Sequence, residues 1–224
     1  MSRDETAPTT RPEDSFSRPP RQSRSQQSFN KLLDAAFDLV SEAGSTAVTL
    51  ADVVKRAGVS TGVVYARVKS KDDLLRALLT REISRLDEHS QQMLGSHIST
   101  GVNFEGYVAR LLELLVEHLR SRAKALRVAI QIGYADPVAA EMGHAAYQKT
   151  EQRFVQRLLE RRGDIRHPEP ERAAARAFVI VYSVVGRHLG LHGERVTSPQ
   201  WEWNELLEDL STMIAHYLGR RPPA

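Results

Sequence analysis

A chain of 224 residues can bury a sizeable core, and 41% apolar with 26% charged residues is the composition of an ordinary soluble globular protein. A formal net charge of only +3 excludes a polycation, so any surface for nucleic acid has to be a local patch. The absence of cysteine excludes a disulfide scaffold, a thiolate zinc site and a cysteine nucleophile.

The chain opens MSRDETAPTTRPEDSFSRPPRQSRSQQ, which lacks the apolar stretch of a signal peptide, and no run of about 18 apolar residues follows. A cytoplasmic protein is expected, without membrane contact. Residues 1–26 are rich in Ser, Thr, Pro, Arg and Gln and bury too little to offset ordering, so a disordered arm is expected there. Its basic end, Arg18 to Arg24, abuts the first helix. Such an arm can reach into a groove of DNA or remain a solvated tail.

From there on the apolar period is helical and no alternating strand stands out, which predicts an all-α fold of about nine helices. The first, 27–43, sets Phe29, Leu32, Leu33, Ala36, Phe37, Leu39 and Val40 mostly on one face, and Gly44 ends it. The second runs from Thr49 to Ala57. Thr49 and Asp52 form a capping-box-like start, and Leu50, Val53, Val54 and Ala57 make the apolar stripe. Gly58 supplies the positive φ for a sharp exit, Val59 returns to the core, and Ser60 caps a third helix ending near Arg67. Ser70 caps a fourth, 71–94, with Leu74, Leu75, Leu78, Leu79, Ile83 and Leu86 inside. The remaining helices are expected at 104–121 after Asn103, 124–134, 137–162 between Pro137 and Gly163, 169–191, and 199–218.

Two short helices joined by a Gly-containing turn and packed on a third make a helix-turn-helix. In the third helix Val64 and Val68 are four apart and expected inside, leaving Thr61, Val63, Ala66 and Arg67 outside. Small side chains let a helix approach a duplex: Thr61 can hydrogen-bond, and the methyls of Thr61, Val63 and Ala66 can touch thymine methyls. Tyr65, Arg67 and Lys71 have the reach for phosphates. Over 50–71, Lys55, Arg56, Arg67, Lys69 and Lys71 stand against Asp52, a local +4 within a nearly neutral chain.

The segments LLDAAFDLVSEAG and TLADVVKRAGVSTGVVYARVKSKDDLL resemble the DNA-binding domain of TetR-family transcriptional regulators. The resemblance lies in Ala35-Ala36 and Gly44, in Thr49, in the Ala57-Gly58-Val59-Ser60 turn, in Gly62 and Tyr65, and in Ser70-Lys71 with Leu74-Leu75. It covers residues 25–80, about a quarter of the chain. Many members have His or Tyr where Arg67 stands and Phe where Val68 stands; Arg keeps a phosphate-binding option and Val keeps the core role with less volume. The resemblance implies a DNA-binding domain over 27–72, with the helix-turn-helix at about 49–68, and an effector-binding and dimerisation domain over 73–224. It implies that Thr49, Ser60, Thr61, Gly62, Val63, Tyr65, Ala66, Arg67 and Lys71 meet DNA. A homodimeric repressor on a palindromic operator, released by a small and largely apolar ligand, is the function it implies. A ligand-dependent activator with the same head stays open, as does a helical small-molecule-binding protein with a vestigial head.

In the eighth helix the chain is apolar nearly all round from Phe178 to Val185, and a helix of that kind has to be covered on every side. The ninth carries Leu206, Leu207, Leu210, Met213, Ile214 and Tyr217 on one stripe. Phe178, Val181, Val185, Leu206, Leu210, Met213 and Tyr217 are therefore candidates for an intersubunit four-helix bundle. Between the ends of the chain, Met93, Phe104, Tyr107, Gln131, Tyr134, Met142, Tyr147, Phe178 and Tyr182 combine aromatic or thioether bodies with a few polar tips. That composition suits a ligand cavity as well as an ordinary core. His188 and His192, four apart, have a spacing that binds zinc, but no third ligand follows by spacing and their place near a helix C-terminus accounts for them. Trp201 and Trp203 are expected to anchor the start of the ninth helix. No catalytic motif, dinucleotide fingerprint or phosphate loop is present, so neither an enzyme nor a cofactor or metal is expected.

Overall fold

The computed structural model describes residues 21–191 and 202–220. Nine α-helices occupy the described residues: α1 Arg21–Ala43, α2 Leu50–Ala57, α3 Thr61–Tyr65, α4 Lys71–Leu94, α5 Phe104–Ser121, α6 Ala123–Ala135, α7 Pro137–Leu159, α8 Pro170–His188 and α9 Trp203–Gly219. No helix among them is long and apolar enough to cross a membrane.

Most boundaries follow side-chain caps. Thr49 accepts from the Asp52 amide at 3.1 Å, and the Asp52 carboxylate accepts from the Thr49 amide at 3.2 Å, closing the box at the head of α2. Ser70, Asn103 and Asp136 cap α4, α5 and α7 in the same way, each accepting an amide of the first turn. Gly58, at φ 62°, ends α2 in the left-handed conformation that an L side chain resists.

Several boundaries differ from the sequence reading. The first helix begins at Arg21, so 21–26 are helical rather than part of a disordered arm; residues 1–20 lie outside the described residues. Ser60 holds the N-cap position of α3, but its hydroxyl makes no capping bond. α3 stops at Tyr65, before Arg67. α7 ends at Leu159, because the chain tightens into a 3-10 turn, Arg162–Asp164, that already contains Gly163. α8 ends at His188 and α9 starts at Trp203; His192 and Trp201 lie outside the described residues. The ring of His188 meets Trp203 edge-on at 4.4 Å, so Trp203 does anchor the start of α9.

Two apolar cores result. One gathers Leu32, Ala36 and Val40 of α1, Val53 of α2, Val64 and Val68 around α3, and Leu74, Leu75, Leu78 and Leu79 of α4. The other is built from α5, α7, α8 and α9 around Phe154 and Phe178. The first does not close by itself. Val128 and Ile132 of α6 and Ala139 of α7 are buried within it, so the end of the α6–α7 hairpin is part of the N-terminal unit.

Candidate functional site

The N-terminal unit holds a short helix against a longer one at a sharp corner. Val64 and Val68 are 1% and 3% exposed, the inward pair anticipated from their spacing. The other side of α3 is open: Thr61, Gly62, Tyr65, Ala66 and Arg67 are exposed, Tyr65 at 60%. A Cβ on Gly62 would meet nothing within 4 Å, so the absence of a side chain there leaves open space rather than relieving a packing contact. Thr49 and Ser60 are exposed beside this face, and the Thr49 hydroxyl donates to the Asp52 carboxylate at 2.5 Å. That bond, with the Thr49 amide, holds the Asp52 carboxyl below its ordinary range.

The basic residues are more tied down than the sequence suggests. The Arg67 guanidinium donates to Gln26 Oε1 at 3.0 Å and Ser25 Oγ at 3.1 Å and lies 5.2 Å from the Phe29 ring centre. It therefore ties the end of α3 to the start of α1. Lys71 is half-buried, its ammonium donating to the Thr46 carbonyl at 3.2 Å. Arg56 forms a two-pronged pair with Glu42 at 2.9 and 3.0 Å. Because Glu42 lies outside 50–71, the local +4 overstates the charge that this surface offers.

A second concavity, about 550 Å³, opens between α4, α5, α6, α7 and α8. Leu86, Leu119, Leu126, Ala129 and Ile130 form much of its apolar wall; Tyr134, Tyr147, Tyr182, His118 and Thr150 bring polar atoms to it. Of the nine candidate cavity residues, the structure brings Tyr134, Tyr147 and Tyr182 together here. The other six lie elsewhere. Phe178 is fully buried core against Tyr147 and Phe154. Tyr107 is buried as well, its hydroxyl donating to the Arg157 carbonyl at 2.6 Å. Phe104 borders a separate groove between α5 and α9, Gln131 faces a small one beside Gly190, and Met93 and Met142 pack on opposite cores.

The sequence reading misses His118. It sits on the buried stripe of α5 with Leu111, Leu114 and Leu115, and a polar ring recurring at i+3, i+4 and i+7 on an apolar face is the signal that could have found it. Its Nδ1 is 2.9 Å from Nδ1 of His89 on α4, with the two rings stacked. Burial, above all, pushes its pKa down to about 4, with His89, Arg122 and Arg153 adding to the effect.

The expected intersubunit residues divide as well. Phe178, Val181 and Val185 are 0% exposed within one chain, and Leu206 and Leu210 are also buried, so none of the five is free to meet a partner. They turn inward because α8 packs that side on α7 and α9. A helix apolar all round does not reveal in sequence which side its own domain takes. Val179 and Ile180 are the exposed large apolar residues of α8, Met213 is exposed on α9, and Tyr217 is half-buried.

The family model for bacterial regulatory proteins of the tetR family matches residues 32–78, which span most of α1, the α2–α3 corner and the start of α4. Over this segment the chain matches the TetR family. Two curated relatives match a segment of the chain: the HTH-type transcriptional regulator BetI of Klebsiella pneumoniae strain 342 is 39% identical over 56 residues, and BetI of Serratia proteamaculans strain 568 is 40% identical over 58. The matches cover 25% and 26% of this chain, and span only 29% of the length of either relative. Likeness of fold extends further. A TetR-family regulatory protein from Rhodococcus RHA1 superposes with a TM-score of 0.62 at 15% identity, over 86% of this chain and 97% of its own. GusR from Salmonella enterica gives 0.62 at 21% identity, over 86% and 95%. The likeness of fold thus extends over most of the chain.

Proposed function

We propose that this protein is a sequence-specific DNA-binding transcriptional regulator acting as a homodimer, which represses from a palindromic operator and is released by a small, largely apolar ligand. The exposed face of α3 carries the reading: a helix of small side chains, held by Val64 and Val68 so that Thr61, Tyr65 and Ala66 point away from the core. In a major groove, Thr61 and Ala66 would meet base edges and Tyr65 a phosphate. Thr49, Ser60, Arg67 and Lys71 flank that face. Arg67 and Lys71 would exchange their present intrachain partners for phosphate. Exposed Val179, Ile180 and Met213 give α8 and α9 an apolar outer surface suited to a second copy of the chain. The cavity beside α4 provides a place for the ligand, next to the helix that continues from the DNA-binding unit.

Selection of bound duplexes from a random library tests the reading without assuming any operator sequence. The expected enrichment is a palindrome with half-sites about one helical turn apart, bound about 10³-fold more tightly than shuffled DNA by fluorescence anisotropy at two salt concentrations. Tyr65→Phe should weaken all sequences alike, whereas Thr61→Ala should change sequence preference. No enrichment, together with indifference to both substitutions, would overturn it.

A further inference from the structure

Resting on the effector reading above, we propose that the cavity between α4, α5, α6, α7 and α8 takes an uncharged aromatic molecule carrying one hydroxyl, which is seated on Nε2 of His118.

The charge of the ligand follows from the lining. Among the described residues that line the cavity, Asp87 is the only carboxylate, and it is already paired with Arg153 at 2.8 Å; neither lysine nor arginine lines the wall there. An ion entering here would lose its water and find no unpaired counter-charge on the lining; Arg122 and Arg153, which act on His118, do not line the wall, and Arg153 is held by Asp87. The shape follows from the helices. A Cβ on Gly133 would sit in ordinary contact, 3.5 Å from the Ala140 backbone, so Gly133, Ala129 and Gly143 together leave a smooth wall. Tyr147 and Tyr182, edge-to-face at 4.9 Å, supply aromatic surface to the same cavity. A flat ring system suits such walls better than a branched chain does.

His118 sets the polar group. The side chain is only 2% exposed, yet it lines the cavity, and its Nε2 has no hydrogen-bond partner among the described residues. The opposed Nδ1 atoms of His89 and His118 admit one proton between them. If His118 holds it, its Nε2 is a bare acceptor; if His89 holds it, His118 carries the proton on Nε2 and is a donor. A hydroxyl satisfies both arrangements, donating in the first and accepting in the second, whereas a carbonyl satisfies only the second. The Tyr182 hydroxyl, whose pKa burial pushes up to about 12, stays protonated nearby and adds a neutral donor.

A matched probe set tests this with the full-length protein: 2-naphthol, naphthalene, 2-naphthoate and naphthylmethylammonium, compared by equilibrium dialysis at neutral pH. The expected order is 2-naphthol tightest, about five- to tenfold over naphthalene, with both ions weaker still. In His118→Leu the naphthol-to-naphthalene ratio should fall to about one, and His118→Gln should restore part of it. Equal binding of naphthol and naphthalene by the native protein, tightest binding of either ion, or no binding of any probe would each overturn the proposal. The native protein alone decides these outcomes, so they hold even if a variant fails to fold. DNA binding of the same preparation is read separately. Lost naphthol selectivity with intact DNA binding removes the ligand assignment alone, and absent DNA binding with intact selectivity removes the regulator reading alone.

Discussion

At the level of single residues, the His89–His118 pair makes stability depend on pH in a definite direction. Around His118 stand His89 from α4, Arg122 at the end of α5 and Arg153 from α7, all of which oppose a positive charge there. Its folded pKa, about 4, lies below the ordinary 6.5, so the unfolded chain takes up the proton first as pH falls. The stabilisation is complete above pH 6.5 and is lost as pH drops toward 4, a contribution of about 3 kcal/mol at most. The pKa of His89, lowered by its own partial burial, acts in the same direction. Chemical denaturation at a series of pH values should show native stability falling more steeply over this interval than that of His118→Gln. Parallel curves would mean that the ring takes up its proton in the folded state at an ordinary pH.

Among elements, the α6–α7 hairpin contributes to both cores. One side of α6 places Val128 and Ile132 in the N-terminal core, while Ala129, Ile130 and Gly133 face the cavity. At the hairpin tip, the Asp136 carboxylate accepts from the Val138 amide at 3.0 Å and from Arg76 of α4 at 2.5 and 3.2 Å; the Arg76 guanidinium holds its carboxyl below the usual range. Asp136→Asn keeps an N-cap acceptor but loses the ion pair. Melting temperature should therefore fall less in Asp136→Asn than in Asp136→Ala, while both variants loosen the link between α4 and the hairpin. Equal melting of both variants would show that the cap contributes nothing beyond the pair with Arg76. The Arg76–Asp136 pair was not legible in the sequence, because a pair sixty residues apart leaves no periodic trace. The caps were legible, since Thr49, Ser70 and Asn103 act on amides within their own first turn. The inward side of α3 was also readable, from two valines four apart. The cavity was not: aromatic residue type identified Tyr134, Tyr147 and Tyr182 but equally Phe178 and Tyr107, which the tertiary packing encloses.

For the whole molecule, the question is how one chain with one short reading helix would gain specificity, and the proposed answer lies in the outer face of α8. Val179 and Ile180 remain 46% and 42% exposed and Met213 63% exposed, although the inner sides of the same helices are covered. Leaving such residues in water forgoes about 25 cal/mol for each square ångström of apolar surface that a partner could cover. A second copy related by a two-fold axis would cover them and set two α3 helices against one duplex. Ile180→Glu places a charge on that face without touching either core, so the monomer should stay folded by circular dichroism while light scattering reports half the native mass. Operator affinity should then fall far more than any single phosphate contact explains, because the second α3 no longer binds as part of the same particle. A native protein that is monomeric at micromolar concentration, or an Ile180→Glu variant that keeps the native mass, would remove α8 from the interface and leave the pairing of the two reading heads to another surface.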